Sequence, residues 1–204
     1  MDALDLVLVA DRIGIIAFAI SGVAVGIRAK LDLYGLAALG LATAIGGGTM
    51  RDVVIGDVPR VFENTDYLLF ALAATAVAIA AGALGWRAPG PILKTADAIG
   101  TGAFAPTGAL LAFEAGLDWP AAMILAILTA TGGGVTRDLM VREVPWVLHR
   151  GLNASASALG GLITFALAED ATVALLVGGT VAMTITALGH TERVHLPSLR
   201  GGDD

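Results

Sequence analysis

The sequence contains the same unit twice, displaced by 86 positions. Residues 41–62 (LATAIGGGTMRDVVIGDVPRVF) recur as residues 127–148 (ILTATGGGVTRDLMVREVPWVL), with ten of the 22 positions identical. The same displacement aligns residues 11–22 with residues 97–108, so one register without insertions covers two separated segments. The chain is therefore predicted to fold as two copies of one structural unit.

The composition is that of a membrane protein. Hydrophobic residues make up 56% of the 204 residues and charged residues 15%, and the mean hydropathy is +0.82, which is too apolar for a soluble domain of this size. The sequence has no cysteine, which excludes disulfides, thiolate catalysis and cysteine-ligated metal sites. We predict an all-α integral membrane protein.

Seven apolar stretches predict seven transmembrane helices in a single transmembrane domain. The first repeat covers about residues 6–86, the second about 95–168, the seventh helix about 171–188, and a C-terminal tail 189–204. The predicted spans are Leu6–Ile27, Leu33–Gly48, Tyr67–Trp86, Thr95–Phe113, Trp119–Gly134, Leu152–Ala168 and Ala171–Leu188.

The basic residues predict the orientation in the membrane. With seven spans, nine basic residues fall on the side of the C-terminus and two on the other, and basic loops face the cytoplasm. We expect an external N-terminus and a cytoplasmic C-terminus. A unit of three spans is odd-numbered, so the second copy must be inverted relative to the first. The nine residues are Arg28, Lys30, Arg87, Lys94, Arg137, Arg142, Arg150, Arg193 and Arg200.

Triple glycines end the second and fifth spans, at Gly46, Gly47 and Gly48 and at Gly132, Gly133 and Gly134. Sixteen residues of helix reach only about 24 Å, short of the roughly 30 Å hydrocarbon core, and glycine disfavours a helix interior. We therefore predict that both helices are broken at membrane depth. The freed carbonyls, with Thr43 and Thr129 among them, would attract a cation from a water-filled cavity.

Charged side chains flank these glycines and recur in the first span of each repeat. Charge at membrane depth costs at least about 2.5 to 3.5 kcal/mol, so these groups should pair or line water. Salt bridges of either arginine with any of the four aspartates are open, and so is the choice between structural locks and a gating or ion-contact role. The residues are Asp11, Arg51, Asp52, Asp97, Arg137 and Asp138.

Two aromatic residues are equivalent by the repeat, and each precedes a hydroxyl residue by three positions. Phe18 is followed by Ser21, and Phe104 by Thr107. These four side chains either line or plug a pore, or they pack the helices together.

The sequence shows no constellation for catalysis, for metal binding or for binding nucleic acid. GGGTMRD lacks the Gly-Lys-Ser/Thr ending of a phosphate-binding loop and has no strand before it. We expect a protein that is not an enzyme and has no cofactor. Its expected ligands are cations and phospholipid.

The seven spans, the two three-helix repeats and the motifs GGGTMRD and GGGVTRD resemble the prokaryotic trimeric intracellular cation (TRIC) channels, which overlap the bacterial glycine-transporter-like membrane proteins. The resemblance covers almost the whole chain. It implies a homotrimer in the inner membrane of a prokaryote, with a pore for monovalent cations, chiefly potassium, in each protomer. The pore-lining kinks of that family match Gly46–Gly48 and Gly132–Gly134, and the charges after them match Arg51, Asp52, Arg137 and Asp138.

Three functions are compatible with the sequence. The first is a passive potassium channel, because the predicted helix ends favour cations. The second is a secondary transporter of a small amino acid such as glycine, because inverted repeats with half-helices at midplane are typical of transporters. The third is a lipid-binding scaffold without transport.

Overall fold

The computed structural model describes residues 3–86, 89–149 and 152–190. Within them the chain is helical and has no strand. The predicted tail falls outside these ranges from residue 191 onward, as do Arg87, Arg150, Arg193 and Arg200 of the orientation argument. The helices are α1 (Ala3–Arg28), α2 (Leu33–Ile55), α3 (Arg60–Glu63), α4 (Thr65–Ala83), α5 (Gly90–Glu114), α6 (Trp119–Met140), α7 (Trp146–His149), α8 (Leu152–Ala166) and α9 (Ala171–Gly189).

Each predicted span coincides with one helix of 15 residues or more. In the described ranges, five helical segments are long and apolar enough to cross a bilayer. Together with the short apolar helix α8, they make this a multi-pass membrane protein. The five segments are Asp5–Arg28, Leu33–Ile55, Thr65–Ala83, Trp119–Met140 and Ala171–Gly189.

The prediction that the glycines break two helices is wrong. Helix α2 passes through Gly46–Gly48 without interruption, and α6 passes through Gly132–Gly134. The predicted second span ends too early, at Gly48. Helix α2 has 23 residues and is about 34 Å long, enough to cross the hydrocarbon core. It is bounded by the N-cap Asp32, which accepts from the Gly35 amide, and by Gly56 in the left-handed conformation (φ 95°).

The central glycine of each triplet allows α2 and α6 to cross in backbone contact. A methyl group on Gly47 would overlap the carbonyl oxygen of Thr129, and one on Gly133 would overlap that of Thr43. Any larger residue would push the helices apart. The triplets therefore serve helix packing. The backbone carbonyls that were expected to be free lie within continuous helices.

The contacts between the halves are reciprocal. Phe18 of α1 packs on Gly100 of α5, and Phe104 of α5 packs on Gly14 of α1. Along this contact the residue numbers increase on α1 while they decrease on α5, so the two helices run antiparallel. Residue pairs that exchange roles in this way are what a two-fold axis produces. Helix α9, outside the repeats, packs against α5 and α8.

The helix crossing can be tested within one glycine triplet. We expect Gly47→Ala to lower the free energy of unfolding by about 1 to 3 kcal/mol, the usual cost of overpacking. Gly48→Ala is the matched control, because its methyl group would lie 3.6 Å from the Arg51 guanidinium, an ordinary contact. It should be neutral or stabilising by up to about 1 kcal/mol. Titration with SDS in mixed micelles measures both, and equal effects would contradict the assignment.

Candidate functional site

The first charge cluster consists of Arg51 with Asp11 and Asp52. The Nη1 and Nη2 atoms of Arg51 each lie 3.2 Å from Asp11 Oδ2, and its Nε lies 2.8 Å from Asp52 Oδ1. The side chains of Arg51 and Asp11 are 1% and 2% exposed. Charges this deeply buried are tolerable only when paired and hydrogen bonded. Tyr67 completes the cluster by donating its hydroxyl to Asp11 Oδ2 at 3.3 Å.

The second charge cluster repeats the first with Arg137, Asp97 and Asp138. Arg137 Nη1 lies 3.1 Å from Asp97 Oδ1, and Arg137 Nε lies 2.7 Å from Asp138 Oδ1. The side chain of Asp97 is 18% exposed, against 2% for Asp11 at the equivalent position. The structure thus resolves the pairings that the sequence left open, and each arginine bridges two aspartates of its own repeat.

Hydroxyl groups connect each arginine to the other repeat. Arg137 Nη1 donates to Ser21 Oγ at 2.5 Å, and Arg51 Nη1 donates to Thr107 Oγ1 at 3.4 Å. Ser21 also donates to Asp97 Oδ1 at 3.1 Å. Both hydroxyl residues are fully buried, so in this structure they hold the two halves together.

The second carboxylate oxygen of each neighbouring aspartate binds a loop. Asp52 Oδ2 accepts from the backbone amide of Arg60, and Asp138 Oδ2 accepts from that of Trp146, each at 3.0 Å. These amides begin the short helices α3 and α7. The sequence analysis missed these contacts and Tyr67. The sequence contains a signal for Tyr67: polar residues, Tyr67 and Asn153, occupy equivalent positions near the start of α4 and α8, the third long helix of each repeat.

A cavity of about 520 Å³ opens onto the second cluster. We call it the vestibule. Besides Asp97, Arg137 and Asp138, charged residues Arg28, Lys94 and Glu143 line it. A further cavity of about 30 Å³, which Asp97 and Arg137 also line, lies beside Gly134 and Phe18. The second cluster is therefore accessible from the end of the molecule where α1 and α6 terminate.

The first cluster borders a small cavity of about 20 Å³. Gly48, Thr49, Arg60 and Phe104 contribute to its walls. The Thr49 hydroxyl and one Nη atom of Arg60 make no hydrogen bond within the described residues. A space of this size with several polar groups in its lining holds about one water molecule.

An apolar septum separates the two clusters. Phe18 and Phe104 meet edge to face with ring centroids 5.4 Å apart, and both are buried. The crossing of Gly47 and Gly133 lies beside them, since a methyl group on Gly133 would also come 3.1 Å from the Phe18 ring. The third glycine of each triplet, Gly48 or Gly134, lines a small cavity, whereas the first, Gly46 or Gly132, packs against the opposite helix.

The two threonines predicted to line the ion path, Thr43 and Thr129, lie at the glycine crossing. The hydroxyls of Thr43 and Thr129 donate to the carbonyls of Leu39 and Leu125 at 2.6 Å, within continuous helices. Their own carbonyls face the glycines of the opposite helix. Neither forms the open cation site at a helix end that the sequence suggested. No group of three metal-ligating residues occurs in the described ranges.

The different burial of the two clusters gives a test with a built-in control. We expect Arg51→Gln to lower the free energy of unfolding by about 3 to 5 kcal/mol, because Asp11 is left buried without a counter-charge. The equivalent Arg137→Gln should cost about 2 kcal/mol, because Asp97 retains partial contact with solvent. Adding Asp11→Asn to Arg51→Gln should recover part of the loss. SDS titration measures all three, and equal losses at both arginines would contradict the difference in burial.

Comparison with known proteins matches both halves of the chain to one family. The family described as Glycine transporter matches residues 8–83 and 94–169, two segments related by the same 86-position displacement as the repeats. A UPF0126 membrane protein of Deinococcus radiodurans is 39% identical over 79% of this chain and 76% of its own length. The UPF0126 inner membrane protein YadS of Escherichia coli is 33% identical over 87% and 86%.

Solved structures give the same result for the fold. A TRIC cation channel whose structure addresses the basis of conductance is 32% identical, with a TM-score of 0.86 over 96% of this chain and 98% of that chain. The TRIC trimeric intracellular cation channel orthologue from Rhodobacter sphaeroides is 31% identical, with a TM-score of 0.83 over 92% and 98%. The chain therefore belongs to the family described as Glycine transporter, has UPF0126 membrane proteins as relatives and shares the fold of the TRIC cation channels.

Proposed function

We propose that the protein is a passive channel for monovalent cations, chiefly potassium, with a hydrophilic path through each protomer. The observation that carries the proposal is the row of cavities on both sides of a thin septum, each with members of a buried charge cluster in its walls. The similarity to solved TRIC cation channels over nearly the full length supports it. Passive permeation makes and breaks no covalent bond.

Formal charge favours cations along this path. Each cluster contains two carboxylates and one guanidinium and therefore carries a net negative charge. Acidic side chains at close quarters select cations in channels. Arg60 lines the cavity of the first cluster and offsets its charge, and Arg28 and Lys94 do the same in the vestibule, where Glu143 adds a further carboxylate. A cation would enter from the vestibule and meet Asp97 and Asp138 first.

The septum is the closed gate of this path. The cavities of about 20 and 30 Å³ on its two sides have the volume for about one water molecule each, too small for an ion with its hydration shell. Conduction requires the rings of Phe18 and Phe104 to move and the arginines to exchange partners. The backbone carbonyls of α2 and α6 take no part as ligands, because both helices are continuous.

The assembly and its orientation complete the proposal. We propose a homotrimer with seven membrane crossings per protomer, whose two repeats enter the inner membrane of a prokaryote from opposite faces. The antiparallel, reciprocal contacts of α1 with α5 and of α2 with α6 support the inversion. The N-terminus is external and the C-terminus cytoplasmic by the distribution of basic residues.

A second candidate is a transporter for a small amino acid such as glycine. The description of the matched family favours it. Arginine and aspartate side chains in one cavity, as in the second cluster, could bind the carboxylate and the ammonium group of a zwitterion. The two candidates differ in one measurable property, because glycine uptake by a transporter saturates and a passive potassium leak does not require glycine.

One experiment separates the two functions. Purified protein in liposomes is tested side by side for dissipation of a potassium gradient and for uptake of labelled glycine, with empty vesicles as the reference. We expect potassium flux above the reference and no saturable glycine uptake. Glycine uptake without potassium flux would replace the channel proposal with the transporter, and neither flux would leave the lipid-binding scaffold.

The gate gives a further prediction. We expect Phe18→Ala to raise the potassium flux about tenfold, the change produced by a barrier lower by about 1.4 kcal/mol, because the truncation thins the septum. Phe113→Ala is the matched control: Phe113 packs edge to face on Phe165 at 5.6 Å, away from the clusters. Flux assays on protein that elutes normally in size exclusion measure both. An unchanged flux in Phe18→Ala would argue against this gate.

A further inference from the structure

A membrane-facing groove between α1 and α4 lies outside the proposed ion path. It has a volume of about 590 Å³ and almost entirely apolar walls. We call it the lateral groove. Alanines of α4, among them Ala74 and Ala78, alternate with larger side chains such as Ile16 of α1 and Phe70 of α4. Ile16 and Phe70 are about two-fifths exposed, so the groove opens sideways.

The lateral groove continues into a second cavity with basic residues. That cavity has a volume of about 450 Å³ and shares Ala78 and Trp86 with the groove. Arg28 and Lys30 line it, and both are exposed. Arg28 also lines the vestibule, so the basic end of this cavity lies next to the entrance of the proposed ion path. The two cavities therefore form one channel-shaped depression, with hydrocarbon walls along its length and positive charge at its end.

The length of this depression matches one leaflet of a bilayer. From Ile16 to Arg28, α1 advances 12 residues, or about 18 Å, and half of the hydrocarbon core is about 15 Å. Trp86 marks the boundary, where tryptophan is enriched in membrane proteins. The basic end also lies on the side predicted to be cytoplasmic, where the leaflet contains anionic lipids.

The second repeat shows what covers the equivalent groove there. Ile16 and Ile20 correspond to Gly102 and Pro106, and these pack against Gly179 of α9. A methyl group on Gly102 would lie 3.0 Å from the Gly179 carbonyl oxygen, so the seat of α9 depends on small residues. The isoleucines of the first repeat fill that space and prevent an equally close helix contact. The lateral groove is therefore shaped for a thinner occupant.

We propose that the lateral groove binds an anionic diacyl phospholipid, with an acyl chain along Ile16, Ile20 and Ala74 and the phosphate at Arg28 and Lys30. The proposal stands on the apolar and basic cavities being continuous, on the match to one leaflet and on the contrast with the α9 seat. It does not depend on which solute, if any, the protein conducts. The bound lipid occupies on the first repeat the place that α9 occupies on the second.

Native mass spectrometry with two lipids of equal chain length tests the proposal. Purified protein is titrated with phosphatidylglycerol and with phosphatidylcholine. We expect tighter binding of the anionic lipid. The double variant Arg28→Gln/Lys30→Gln should bind it about 25-fold more weakly, which corresponds to about 1 kcal/mol for each basic residue. Equal binding of the two lipids by the unmodified protein would overturn the proposal.

Matched variants separate this site from general charge attraction. Arg142→Gln is the control for charge, because Arg142 is exposed and has the same left-handed backbone conformation as Lys30 (φ 62° and 58°) but does not line the groove. It should leave binding unchanged, and an equal loss would overturn the proposal.

A second pair of variants tests the apolar part. Ala74→Trp fills the lateral groove, whereas Ala76→Trp places the same side chain on an exposed position of α4 outside it. We expect only Ala74→Trp to lower phosphatidylglycerol binding, by about tenfold, a loss of about 1.4 kcal/mol. A changed oligomer mass in Ala74→Trp with unaltered lipid binding would mean that a second copy of the chain covers the groove, and would overturn the proposal.

Discussion

The rest of this fold depends on two arginines that are buried among apolar helices. A guanidinium at membrane depth is tolerable only where carboxylates and further acceptors surround it, and Arg51 and Arg137 each receive two aspartates from their own repeat and a hydroxyl from the other. Meeting this requirement brings the first two helices of both repeats together. The glycine crossing makes the approach close enough, and the loops are fixed through the remaining aspartate oxygens.

Much of the architecture could be predicted because hydropathy and the duplication are properties of the sequence itself. The same 86-position displacement relates the contacts of the structure, such as Gly14 with Phe104 and Gly100 with Phe18. The role of the triple glycines could not be predicted in this way. Glycine both weakens a helix and permits close packing, and only the position of the Thr129 carbonyl against Gly47 shows which property is used.

The candidate site was predictable in its members and not in its connections. All six charged residues singled out from the sequence lie in the two clusters. Their pairing depends on helix rotation, which a pattern of charges does not determine. Tyr67 was missed because its equivalent in the second repeat is Asn153, so the duplication does not mark it by identity.

At the ends of the first two helices of each repeat, the left-handed residues differ between the two faces of the molecule. After α2 and α5 they are Gly56 and Gly116, whereas at the equivalent places after α6 and α1 they are Arg142 and Lys30. A side chain in that conformation costs roughly 1 to 2 kcal/mol, so both basic residues carry local strain. A nearly symmetric duplicated chain could insert into a bilayer either way up with little difference in energy. Cations concentrated on one face bias a membrane protein towards one orientation, so these two residues supply an asymmetry that the duplication itself lacks.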